Sequence, residues 1–217
     1  MQNPTSGIHH ITAIAGDPQR NIDFYAGTLG LRLVKRTVNF DDPGTYHFYY
    51  GDRSGQPGTL LTFFPWAGAF AGRPGAGQAT TVSFAVPSGS LSWWEDRLGA
   101  HGSAVVRRER FGMAYLGFKD PDGMALELVE QPATARVNLN PDSPVGAAQA
   151  IRRFQGTTLT LRGVDSTARV LTDVLGLTLQ AEDGSTQRFA PADASLGVVD
   201  LLRAPESRGG SMGAGSV

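Results

Sequence analysis

One pattern recurs three times along this chain and narrows what it can fold into: a strand, a helix, then three further strands. The first copy opens on the alternating run Ile8-His9-His10-Ile11-Thr12-Ala13-Ile14. Asp17-Pro18 then supplies a helix cap and a first-turn proline, whose missing N–H and fixed φ suit that place. A helix with Ile22, Phe24, Tyr25 and Leu29 near its apolar face closes at Gly30, and strand-like runs follow at 31–40, 46–50 and 59–64. The second copy has a strand at 80–86 and a helix that starts near Ser88 or Ser90. That helix passes through Leu91, Trp93, Trp94 and Leu98 to Gly99, before strands at 103–107, 113–118 and 124–130. The third has a strand at 157–161, a helix over 165–175, and strands near 177–181, 187–189 and 196–202. The phrase Leu29-Gly30-Leu31-Arg32-Leu33 returns as Leu175-Gly176-Leu177-Thr178-Leu179, with Leu98-Gly99 between them.

A repeat this regular sets the fold class as α+β, built of βαβββ modules; the competing account is an ordinary α+β domain with chance similarity. The boundaries fall at 1–66 for the first module, 79–131 for the second and 154–203 for the third. Residues 132–153, with Pro132, Pro141 and Pro144, read as a linker, and 204–217 as a Gly/Ser-rich loop. One helix over one amphipathic sheet is too small to bury its apolar face alone, so the units should pair. Three units leave one without a partner.

Composition bounds the partners. Nineteen Lys and Arg against 20 Asp and Glu give a net charge of −1, with no electrostatic footprint for nucleic acid or anionic membrane. No apolar run approaches the roughly 18–20 residues of a membrane span, and no secretory signal opens the chain. The absence of cysteine excludes disulfides, thiolate metal sites and a cysteine nucleophile. A cytoplasmic protein is expected.

Few residues carry chemistry. The histidines are His9, His10, His47 and His101. Neighbours on a strand point to opposite faces, so only one of His9 and His10 can face a cavity. His47, within Tyr46-His47-Phe48-Tyr49-Tyr50, reads as a sheet residue among aromatics, and His101 as a residue complementing a helix C-terminus. Asp120-Pro121-Asp122-Gly123 is a turn signal before a strand that places Glu127 among apolar residues. A carboxylate there is costly unless it meets water, a partner charge or a metal; a solvated sheet face and a functional site both remain open. No phosphate loop and no Gly-x-Ser-x-Gly elbow is present.

The repeats, the histidine pair near the first strand, the Asp-Pro-Asp-Gly turn before a Glu-bearing strand and the Leu-Gly-Leu junction resemble the vicinal oxygen chelate superfamily. That superfamily includes glyoxalase I, extradiol dioxygenases and the bleomycin and fosfomycin resistance proteins. Gly7-Ile8-His9-His10-Ile11-Thr12, Asp23-Phe24-Tyr25, Tyr46-His47-Phe48-Tyr49-Tyr50-Gly51-Asp52, Phe63-Phe64-Pro65-Trp66 and Gly89-Ser90-Leu91-Ser92-Trp93-Trp94 narrow the likeness to its hydroquinone-type ring-cleaving dioxygenases.

The resemblance implies four modules forming paired cupped barrels, the first with the fourth and the second with the third. It implies a non-haem Fe(II), or Mn(II), held by two histidines and a glutamate, with His10 as the first ligand. His9 and Thr12 match positions that orient the substrate or exchange protons with it. The remaining His and Glu ligands are then expected beyond Val217, where Gly215-Ser216-Val217 resembles the run-in Ser6-Gly7-Ile8. The implied partners are a small aromatic substrate and O₂, with homo-oligomer formation left open. Two alternatives stand beside this reading. A glyoxalase-like lyase or isomerase would join His10 and Glu127 around Ni(II) or Zn(II), with units one and two in one barrel. A metal-free binding protein would hold an aromatic ligand against Tyr46, Phe48 and Tyr50.

Overall fold

The computed structural model describes residues 5–132, 138–192 and 197–217. The expected order of elements is present in all three units. The first has β1 (His10–Ala15), α1 (Pro18–Ile22), β2 (Arg32–Val38), β3 (Tyr46–Gly51) and β4 (Leu60–Pro65). Asp17 caps α1 as the sequence predicts, its side chain accepting from the Arg20 N–H, with Pro18 in the first turn. The second has β5 (Gln78–Pro87), α2 (Leu91–Ala100), β6 (Val106–Arg110), β7 (Met113–Lys119) and β8 (Ala125–Gln131). The third has β9 (Arg153–Leu161), α3 (Asp165–Arg169), β10 (Thr178–Asp183), β11 (Thr186–Ala190) and β12 (Val198–Arg203). The expected start of that last strand at residue 196 lies outside the described residues.

Three local details differ from the sequence reading. The helices of units one and three do not stay α-helical but continue as π-helical turns, Asp23–Thr28 and Val170–Val174. In both, the leucine before the repeated glycine donates five residues back, Leu29 to Phe24 and Leu175 to Val170. Gly30 and Gly176 then take φ of 72° and 70°, a region closed to most side chains, which explains the repeated Leu-Gly-Leu. Helix α2 does not end at Gly99: it runs to Ala100, and Gly102, at φ 79°, takes the left-handed place instead. The Ser103 N–H then bonds back to Leu98, so the following strand starts at Val106 rather than 103.

In each unit the first strand pairs in parallel with the last, as β1 with β4, β5 with β8 and β9 with β12. Units two and three merge into one sheet of order β10-β11-β12-β9-β5-β8-β7-β6, through the antiparallel pair β5–β9. Unit one keeps its own sheet, ordered β1-β4-β3-β2. The pairing of the second unit with the third is therefore as expected.

Units one and two pack through their helix-covered sides around one core that includes Tyr25, Phe63, Phe84, Trp94 and Leu116. The Arg97 side chain fastens this contact by donating to the carbonyls of Gly27 and Thr28. Unit three has a smaller core of Val164, Leu171, Leu177, Phe189 and Leu201. Residues 138–151 run against units one and two: Ser143 donates to Gly30, Trp94 donates to Gln149, and Val145 and Ala150 are buried. Their neighbours 133–137 lie outside the described residues.

The β9–β12 contact has no spare room. A Cβ on Gly156 would stand 2.5 Å from the Val198 carbonyl oxygen. Gly156→Ala is expected to lower stability by about 1–3 kcal/mol, as overpacked sites do. Urea unfolding reads this directly, and an unchanged midpoint would mean that the two strands part freely there.

Candidate functional site

Strand alternation decides which side chains of unit one are available to a ligand. Along β1, Ile11, Ala13 and Ala15 go into the core, while His10, Thr12 and Ile14 face the other way. The register carries that open face across the sheet. Thr12 pairs with Thr62, and Thr62 with Tyr49. The Thr62 hydroxyl donates to Thr12 at 2.9 Å. His47 lies two residues from Tyr49 on the same face, its Nδ1 3.1 Å from the Tyr49 hydroxyl and its ring 4.0 Å from that of Phe64. Lys35 stands over the Tyr49 ring. Burial, then Lys35, then His10 push the His47 imidazole below its ordinary pKa, which disfavours its protonated form.

This face corrects one expectation. Phe48 and Tyr50, expected to line an aromatic cup, are 1% and 0% exposed and belong to the core beneath the sheet. Tyr46 is half exposed at the start of the strand. The residues that share the face with His10 are the alternate ones, His47 and Tyr49. The aromatic surroundings expected of His47 are present, and His101 sits at the C-terminus of α2, its Nδ1 2.8 Å from the Arg97 carbonyl.

His9 precedes β1 and His10 opens it, both exposed, with their Nδ1 atoms 3.2 Å apart. This contact engages Nδ1 of His10 and leaves Nε2 as its outward donor. Among the described residues no group of three or more His, Asp or Glu side chains could hold a metal ion. The open face thus offers one imidazole and a hydroxyl pair, which fits part of a metal's donor set.

Glu127 occupies the same place in its unit as Thr62 does in the first: Ser83 pairs with Glu127 as Thr12 pairs with Thr62. The third unit repeats the arrangement with Thr158 and Asp200. Two carboxylates therefore face each other's halves of the joint sheet. Glu127 is not solvated, and its strand belongs to a different sheet from His10's. It is 7% exposed, accepts from Ser83 at 2.6 Å and is gripped by both terminal nitrogens of Arg110 at 3.2 and 2.8 Å. Asp200 is gripped likewise by Arg188, at 2.8 Å twice, and Arg110 reaches it at 3.7 Å. Burial works against the charge on Arg110, but Glu127 and Asp200 outweigh it and raise its pKa above the ordinary value. The alternative that joined His10 to Glu127 is thereby corrected: the carboxylate is spent on arginine, and units one and two do not share a barrel.

The tip of the β6–β7 hairpin closes this second cup. Phe111 sits at φ 53°, a conformation costly for a bulky side chain. Its N–H donates to Asp183 of the third unit, and its ring lies 4.1 Å from the Arg188 guanidinium. Arg110, Arg188 and Asp200 are not among the candidates that the sequence singles out. A usable signal was present for Asp200, which stands in the last strand of its unit as Glu127 does.

Asp120, in the turn before β8, is buried against unit one. It accepts from Tyr25, Asp122 and Met124, yet burial outweighs these bonds and pushes its carboxyl up to about 6. Burial and Asp120 together raise Tyr25 well above the usual phenol value. A carboxyl whose folded pKa exceeds its unfolded value of 3.8 binds its proton more tightly when folded. Its contribution to stability is therefore present at low pH and lost as pH climbs through that window to about 6. Asp120→Asn should remove this slope, so that urea midpoints between pH 4.5 and 6.5 shift in the variant's favour as pH rises. Parallel pH profiles would count against it.

The profile of the Glyoxalase/Bleomycin resistance protein/Dioxygenase superfamily matches residues 7–128, more than half of the chain. The chain belongs to this superfamily. Within it, the chain is 48% identical over all 217 residues to MhqO of Bacillus subtilis (strain 168), named as a ring-cleaving dioxygenase, and spans 69% of that protein. It is 40% identical over 198 residues to the chlorohydroquinone/hydroquinone 1,2-dioxygenase of Sphingobium indicum, covering 88% of this chain and 61% of that enzyme. A crystal structure of a dioxygenase-named protein from Bacillus subtilis subsp. subtilis str. 168 superimposes with a TM-score of 0.94, over the whole chain and 69% of the other. Glyoxalase I from Zea mays shares the fold at a TM-score of 0.71 and 16% identity, over 96% of this chain and 72% of that one. The superfamily chain thus keeps company with enzymes, and the fold read from its repeats is the fold of the family. Among its described residues no helix is long and apolar enough to cross a membrane.

Proposed function

We propose that this chain is the larger part of a cytoplasmic, Fe(II)-dependent dioxygenase that opens hydroquinone-like rings, with Mn(II) as the other metal the site would accept. The observation that carries the reading is the exposed His10 on the same open face as Thr12, in a chain akin to proteins named for ring cleavage. His10 is the ligand supplied by these residues, through Nε2; the second histidine and the glutamate come from a fourth unit. Two features of the fold support that unit. The strand edge of β1 receives Gly215 and Ser216, which bond to Ile14, as β9 joins β5 in the other pair. The π-helical turn of unit three also exposes Val170 and Val174, on the kind of helix that units one and two bury against each other.

Bound iron would supply the redox chemistry through which O₂ meets the ring, both oxygen atoms ending in the opened product without an added reductant. This chain's own residues prepare the substrate. His9, beside His10, takes the proton released when a ring hydroxyl binds as its anion. Thr12, held by Thr62, aims its hydroxyl at that oxygen, and His47 with Tyr49 forms the wall beyond.

Ring cleavage by the whole gene product, followed as O₂ uptake on hydroquinone, tests this reading. One O₂ per hydroquinone is expected, and His10→Ala should abolish both iron retention and uptake. Iron and ring cleavage retained in that variant would overturn the assignment, and an intact natural mass of 23.0 kDa would remove the fourth unit.

A further inference from the structure

The open face of unit two is not filled by the charge network at its join with unit three. A cavity of about 680 Å³ opens on the unit-two side, walled by Thr81, Tyr115 and Glu127 from the sheet's open face, with Phe24 and Phe118 at one end. That volume lies within the roughly 300–1,000 Å³ of small-molecule sites. The acids lining it are already engaged. Glu127 is held by Arg110 and Ser83, and both oxygens of Asp120 accept hydrogen bonds from Tyr25 and the turn backbone.

Its cations are not. In the basic run of β6, Arg107 reaches Glu95 and Ser92, and Arg110 holds Glu127. Arg108, which lines the cavity and pairs with Tyr115 across neighbouring strands, makes no side-chain hydrogen bond or ion pair among the described residues, and neither does Lys119 on the adjoining strand. Beside the cavity, the buried Nε of Arg110, whose guanidinium lies over the Tyr115 ring, also has no hydrogen-bond partner among the described residues. Aromatic walls combined with unspent positive charge select a planar anion over a neutral or cationic guest.

We propose that this cavity is a second small-molecule site, separate from the His10 face, that binds an aromatic carboxylate. The ring lies against Tyr115 and the carboxylate is met by the cations of β6 and β7. Glu127, the lining carboxylate nearest the sheet's join, is already neutralised by Arg110, so it does not repel an organic anion there.

Benzoate is the probe and benzamide, of the same size and without charge, its control, both titrated into the whole gene product by calorimetry and ligand-observed NMR. Benzoate is expected to bind with a Kd of about 1 mM, in keeping with so few atoms, and benzamide at least about tenfold more weakly. The double variant Arg108→Gln, Lys119→Gln should lose about tenfold in benzoate affinity while its urea midpoint stays put, since neither side chain has a partner to lose. His10→Ala should bind benzoate as the parent does. Equal binding of the two probes, no benzoate binding at tens of millimolar, an unaffected double variant, or loss of binding in His10→Ala would each overturn the proposal.

Discussion

Asp200→Ala is expected to lose about 3–5 kcal/mol of stability, seen as a large drop in urea midpoint, because it strands a buried guanidinium. Asp200 is 3% exposed and takes two bonds from Arg188 at 2.8 Å, with Arg110 at 3.7 Å on its other side. Without it, among the described residues, Arg188 keeps only the Phe111 ring, and Arg110 keeps Glu127 and the Tyr115 ring. The double variant Arg188→Met, Asp200→Leu should recover most of the loss, since a packed apolar pair carries no charge to desolvate. The contrast between single and double variants separates a charge network from mere packing. A loss under about 1 kcal/mol in the single variant would put the pair in the class of solvent-exposed bridges.

The same network shows where sequence reading stops. Strand alternation placed Glu127 on a face opposite Leu126 and Leu128, and the cost of burying a carboxylate pointed to some compensating partner. Nothing local names that partner. Arg110 is 17 residues away across an intervening strand, and Asp200 lies in another unit, brought near only by the β5–β9 join. Such contacts depend on pairing between segments far apart in the chain, which period and propensity do not encode. The helix signals were local, and they were legible: the Asp17 cap, Pro18, and the glycines at 30 and 176 mark real ends. The π-helical turns were not, because widening one turn by a residue leaves the apolar pattern almost unchanged. Gly99 misled for a related reason. A glycine near a helix end reads as its cap, but here Gly102 is the residue that needs positive φ.

The sharpest consequence of register concerns two adjacent tyrosines. Tyr50→Ala should cost about 3–5 kcal/mol, the usual range for emptying a large aromatic site. Its ring is fully buried among Tyr25, Phe48 and Phe63, and its hydroxyl donates to Asn21, itself buried and left unpaired by the change. Tyr49→Ala should cost less than about 1 kcal/mol, since that side chain is half-buried on the open face. Its effect appears instead at His47, which loses a partner and gains water, so that NMR titration should find its pKa rising toward 6.5. A strand admits only one of two alternations, so core and site exchange places together under a one-residue slip. Equal stability losses for the two variants would mean that β3 does not hold this register. His47 and Tyr49 would then lose their place beside His10, whereas a wide gap between the variants ties the aromatic core and the open face to the same alternation.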